Sequence, residues 1–124
     1  MGNESRTVVV LGASENRDRY SNRAVRLLKN QGFRVVPVHP TLDTVEGLPV
    51  LRRLEEIAIP VDTLTLYVGP DHSKALIDSI VALKPGRVVF NPGSESPEVR
   101  GRLKQAGIPF LEACTLVMLS TGQF

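Results

Sequence analysis

Five short apolar runs alternate with stretches of helical spacing along this chain, and no other feature restricts its fold as much. The first run, Thr7–Leu11, is largely β-branched and unbroken, and it stops at Gly12. Tyr20, Ala24, Leu27, Leu28 and Gln31 then recur at three- to four-residue spacing, which predicts a helix ended by Gly32. Phe33–Val38 reads as a second strand, and its Pro37 predicts an edge position or a strand end, because proline lacks the ladder N–H. Pro40–Pro49 reads as irregular, and Leu51, Leu54, Ile57 and Ala58 as a short helix ending before Pro60. Val61–Val68 predicts a third strand, followed by a helix with Asp71 as N-cap and Leu76, Ile77, Ile80 and Val81 as its buried stripe. Arg87–Phe90 predicts a fourth strand. Ser96 then caps a helix that begins with Pro97, turns Val99, Leu103 and Ala106 inward and stops at Gly107. Ile108–Leu111 is a short last strand. Brief connections and strands apolar on both faces predict an α/β fold: a doubly wound parallel sheet of about five strands flanked by helices, a single domain over residues 1–124.

Composition agrees with such a domain and removes several functions. With 42% apolar and 23% charged residues, 124 residues can bury one core and not two. No stretch approaches the ~18–20 apolar residues of a membrane-spanning helix, so no membrane partner is expected. Met1–Arg6 lacks the apolar centre of a signal peptide, and Gly2 is a poor myristoylation match because Arg6 stands where Ser or Thr is needed. The expectation is a cytoplasmic protein. A net charge of +2, no Trp and few other aromatics provide no platform for bases, so no nucleic acid is expected. The single cysteine, Cys114, excludes an internal disulfide and a Cys-based zinc cluster. Leu116–Leu119 are expected to finish the core; the alternative is contact with a second copy in a homodimer.

In an open α/β sheet, ligands bind beyond the carboxyl ends of the strands. At those ends this chain carries Gly12-Ala13-Ser14, His39-Pro40, Gly69-Pro70 and Asn91-Pro92-Gly93, which are small, polar or turn-forming. The opposite ends, at Arg34, Asp62 and Arg87, show no such clustering. A strand that empties through Gly12 toward a helix brings backbone N–H groups and a positive dipole end to one point, where an anion is favoured. Arg17, Arg19 and Arg23 add guanidinium groups there. The sequence therefore predicts that the amides of the Gly12 turn cradle a diphosphate. The loop is not the dinucleotide fingerprint, whose further glycines would fall at Ser14 and Arg17, and no acid ends the second strand to hold a ribose hydroxyl. His39 and His72 have no metal-ligand pattern around them, so no metal is expected. Ser14 lacks the G-x-S-x-G context of a nucleophile, and no catalytic residue is assigned.

Val10-Leu11-Gly12-Ala13-Ser14-Glu15-Asn16 followed by Arg19 and Ser21 resembles the opening of the small single-domain CoA-binding proteins, a family of Rossmann-like domains. Val36-Pro37-Val38-His39-Pro40, Gly47, Val61-Asp62 and Cys114 continue the likeness in order over almost the whole chain. The fold is also similar to the CoA-binding domain of the succinyl-CoA synthetase α subunit. The resemblance implies coenzyme A as ligand. Gly12, Ala13, Ser14, Arg19 and Ser21 would then receive its phosphates, and His39-Pro40 would flank it. Tyr67, Val68, Gly69 and Pro70 would line the adenine slot, with Asn91, Pro92 and Gly93 near the pantetheine. His39 departs from the family's usual Asn. The leading expectation is a CoA- or acyl-CoA-binding carrier, sensor or regulatory module. The alternatives are an enzyme acting on a CoA thioester through Cys114 or Glu112, and a module for NAD or another adenine nucleotide.

Overall fold

The structure, a computed structural model, describes residues 3–124; Met1 and Gly2, and the myristoylation expectation that rests on Gly2, lie outside the described residues. Its main sheet is parallel, built from β1 (Thr7–Leu11), β2 (Arg34–Val38), β5 (Thr63–Leu66), β6 (Arg87–Phe90) and β7 (Phe110–Glu112). Between β2 and β5 in the chain lie β3 (Thr44–Val45) and β4 (Leu48–Pro49), an antiparallel pair of their own. The spatial order β2-β1-β5-β6-β7 makes this the doubly wound arrangement the alternation predicts. Pro37 does sit in an edge strand.

The period of two along β1 divides the core. Val8 and Val10 face α1 (Tyr20–Asn30) and α5 (Thr115–Ser120) with Val25, Leu28 and Leu119. Val9 and Leu11 face the other layer, α2 (Pro70–Ala75), α3 (Ile77–Leu83) and α4 (Pro97–Ala106), with Ile80, Val99 and Leu103. Every residue of β1 is buried, and each fully buried Val or Leu contributes roughly 1.5–3 kcal/mol. The strand that leads into Gly12 is thus held by the core on both faces.

Ser96 caps α4 as expected, its Oγ accepting from the Val99 N–H at 3.2 Å, and Gly107 ends that helix at φ 71°. Met118 and Leu119 finish the core, whereas Val117 is 57% exposed. Four local expectations are corrected. Ala106 of α4 is exposed and does not turn inward with Val99 and Leu103. Pro40–Pro49 is irregular only as far as Asp43, since Thr44–Pro49 forms the β3–β4 hairpin through Glu46 and Gly47, both at positive φ. The helix expected from Leu51 to Ala58 shrinks to one 3₁₀ turn, Leu54–Glu56, because Leu51 pairs instead with β2: its N–H donates to the Pro37 carbonyl and its carbonyl accepts from His39, each at 3.0 Å. Gly69, not Asp71, is the N-cap of α2, with Pro70 in the first helical position; a break at Leu76 separates α2 from α3.

Candidate functional site

The order of strands reverses between β1 and β5, so a crevice opens beyond their carboxyl ends. Gly12 makes this crevice narrow at its floor. At φ 91° it takes a conformation that suits glycine, and a Cβ there would lie 2.8 Å from Val68 Cγ1 and 3.1 Å from the Tyr67 carbonyl. Its N–H and that of Ala13 both donate to the Val38 carbonyl, each at 3.2 Å. This corrects the expectation that the Gly12 amides cradle a diphosphate: they tie β1 to the end of β2.

The open donors lie further along the loop. Ser14 Oγ accepts from Asn16 N–H at 3.0 Å, and Asn16 Oδ1 accepts from Asp18 N–H at 3.0 Å, so two side-chain turns shape the approach to α1. Arg19, the N-cap residue of α1, provides no side-chain acceptor. The N–H groups of Tyr20, Ser21 and Asn22 have no partner among the described residues, and neither does that of Ser14. Arg19 forms no ion pair among the described residues. Buried Asn22 braces the loop from below, donating to the Ser14 carbonyl at 2.9 Å and to Glu46 Oε2 at 3.2 Å. The arrangement presents a cation and unsatisfied amides to one side of the crevice.

The crevice encloses about 970 Å³, room for a nucleotide-sized molecule. Gly12, Ala13, Ser14, Arg19, Ser21, His39, Pro40, Tyr67, Val68, Gly69, Pro92 and Gly93 all line it, so residues far apart in sequence are brought together. Arg17, Pro70 and Asn91 do not. Arg17 pairs with Glu46 at 2.9 Å, and Pro70 starts α2. Asn91 is a buried strap: its Nδ2 donates to Thr65 Oγ1 at 2.6 Å and to the Leu66 carbonyl at 2.9 Å, and its Oδ1 accepts from Thr115 N–H at 2.8 Å. Of the other loop cations, Arg23 lies 5.5 Å from the Tyr20 ring centre and Arg26 binds Asn22 Oδ1 and the Arg17 carbonyl.

His39 Nδ1 accepts from the N–H groups of Thr41 at 3.1 Å and Leu42 at 3.2 Å, which puts the ring proton on Nε2. It fills the loop-capping role of a short polar side chain and keeps a donor to spare. Tyr67 has a buried hydroxyl with no hydrogen-bond partner; burial pushes its phenol up to about 12, the nearby Thr115 and Thr65 hydroxyls pulling the other way.

Sequence reasoning did not select the opposite wall, where Arg52, Arg53, Glu55, His72 and Ser79 line the crevice. Glu55 accepts from Ser79 Oγ at 2.6 Å, and that hydrogen bond leads in holding its carboxyl below the usual range. The adjacent arginines were a visible signal, but only the pairing of Leu51 with β2 turns them toward the crevice. Cys114 and Glu112 do not line it; Glu112 pairs with Arg100 at 3.0 Å. Among the described residues no three His, Cys, Asp or Glu side chains gather as metal ligands, and no helix is long and apolar enough to cross a membrane.

A parallel sheet wound on both faces, with this crevice at its switch point, defines a Rossmann-like domain. The chain belongs to the CoA binding domain family, whose pattern it matches over residues 6–120. It is similar to the crystal structure of an uncharacterized protein, 38% identical with a TM-score of 0.89 over 96% of this chain and 98% of that one. A Thermus thermophilus structure is 32% identical with a TM-score of 0.88, covering 96% of this chain and 90% of the other. The uncharacterized protein YneT of Bacillus subtilis (strain 168) is 30% identical over 63 residues, which span 51% of this chain and 47% of that relative.

Proposed function

We propose that this protein binds coenzyme A, or an acyl-CoA, in the crevice between β1 and β5, as a non-catalytic carrier, sensor or regulatory module spanning residues 1–124. The observation that carries the reading is the uncapped first turn of α1 beside the unpaired Arg19, in a chain of the CoA binding domain family. An anion against the amides of Ser14, Tyr20 and Ser21 is favoured by the helix dipole, and Arg19 adds charge-assisted hydrogen bonds of roughly 1.5–3 kcal/mol each. In this reading Ser21 adds a hydroxyl to the diphosphate site, and His39 and Pro40 flank the adenosine. Val68 and Gly69 form the adenine slot, while Pro92 and Gly93 border the pantetheine. Cys114 and Glu112 lie away from the crevice lining, which favours binding over thioester chemistry.

Calorimetric titration with CoA tests the proposal, and absence of heat at millimolar ligand would remove it. Arg19→Ala is expected to weaken binding about 10- to 100-fold with little change in melting temperature. Unchanged affinity would clear Arg19 of that role.

A further inference from the structure

We propose that Arg53, with Arg52 beside it, forms a second phosphate subsite that takes a phosphomonoester on the ligand's ribose; the inference rests on the coenzyme A reading and names the part of the molecule that reading leaves unassigned.

The backbone brings these arginines to the right place. Val38, the last residue of β2, pairs in parallel with Leu51, and the Leu51 carbonyl accepts from His39 N–H at 3.0 Å. The two residues after Leu51 therefore leave the sheet beside His39 and Pro40, beyond the carboxyl end of β2. In Rossmann-like sheets that position meets the ribose: an acid there holds free hydroxyls, whereas an arginine admits a ribose phosphate. This chain has no acid at the end of β2, and both Arg52 and Arg53 line the crevice.

The local hydrogen bonds leave the Arg53 guanidinium available, whereas that of Arg52 has a partner in Asp43. Glu56 Oε1 accepts from the backbone N–H of Arg52 at 2.8 Å and of Arg53 at 3.2 Å, which fixes the turn without engaging the Arg53 side chain. Arg52 Nη2 lies 2.7 Å from Asp43 Oδ1, an exposed pair. Arg53 Nε stands 3.8 Å from Glu55 Oε1, too far for a hydrogen bond, and its side chain is 71% exposed. Glu55 is held more closely by Ser79. Such a loose pair in water resists little, and a dianionic phosphate offers a planar guanidinium a better partner. Arg19 lines the same crevice from the start of α1. One ligand with a diphosphate and a separate ribose phosphate satisfies both cationic ends; a dinucleotide with free ribose hydroxyls satisfies one.

Calorimetry with CoA and with dephospho-CoA, which lacks only the ribose phosphate, separates the outcomes. The wild-type chain is expected to bind CoA at least 10-fold more tightly. Arg53→Ala is expected to remove most of that preference, weakening CoA about 10-fold and dephospho-CoA no more than 2-fold, with Arg52→Ala acting in the same direction. Equal affinities in the wild type, or variants that leave the preference intact, overturn the subsite while the coenzyme reading stands. If the wild type binds neither compound, the coenzyme reading fails and takes this inference with it.

Discussion

Gly12 is a residue whose role depends on what it lacks. The sequence marked it as an anion-binding turn, and the structure assigns its N–H elsewhere while leaving no space for a Cβ against Val68 and Tyr67. Gly12→Ala combines a left-handed backbone with overpacking, so a stability loss of about 2–4 kcal/mol is expected in a denaturant titration. Wild-type stability in that variant would mean that the floor of the crevice yields easily. Asn91 teaches a related lesson. Its position in a strand-exit loop reads as a ligand contact, yet all three of its side-chain hydrogen bonds hold β5 and α5 to the end of β6. A buried amide that spans separate elements is invisible to local pattern.

At the scale of elements, the β3–β4 hairpin departs most from expectation. Its Glu46-Gly47 turn lacks the Asn-Gly or Asp-Gly signature of a tight hairpin, and tertiary bonds stabilise it instead. Lys29 Nζ donates to the Glu46 carbonyl at 2.7 Å, and the Glu46 carboxylate receives Asn22 and Arg17. The Asn22 hydrogen bond, assisted by the Arg17 charge, holds the Glu46 carboxyl below its ordinary value of 4.5. A group with a lowered folded pKa stabilises the fold above its unfolded value, and that contribution disappears as pH falls through the folded one. Wild type is therefore expected to exceed Glu46→Gln in urea midpoint at neutral pH, with the gap closing below about pH 4. A gap independent of pH would assign the difference to packing. Asp62 adds to the same acid sensitivity: although burial raises its pKa, hydrogen bonds from Thr63 and Arg6 lower it further.

Across the whole molecule, the two ends of the sheet have separate tasks. The carboxyl end carries the crevice. At the other end Phe124 packs edge-on to Phe33 at 5.4 Å, and its carbonyl accepts from Arg6 at 3.0 Å and Arg87 at 2.8 Å. Both guanidinium groups also lie over its ring, at 5.5 and 4.5 Å. Phe124→Ala is expected to lower stability by about 1–3 kcal/mol in thermal or chemical unfolding. CoA affinity should stay within 2-fold of wild type, and a larger loss would show that the two ends communicate.

The alternation of strands and helices, the edge position of β2 and the cap and stop of α4 were legible from the sequence alone, because each depends on periodicity or on hydrogen bonds within a few residues. The general location of the crevice followed from the same alternation. Which amides remain open, why Arg17 is occupied while Arg19 is not, and how Arg52 and Arg53 reach the opposite wall were decided only by the tertiary structure. Those outcomes depend on partners a dozen or more residues apart, such as Gly12 with Val38, Arg17 with Glu46 and Leu51 with His39, and strand order determines which of them meet.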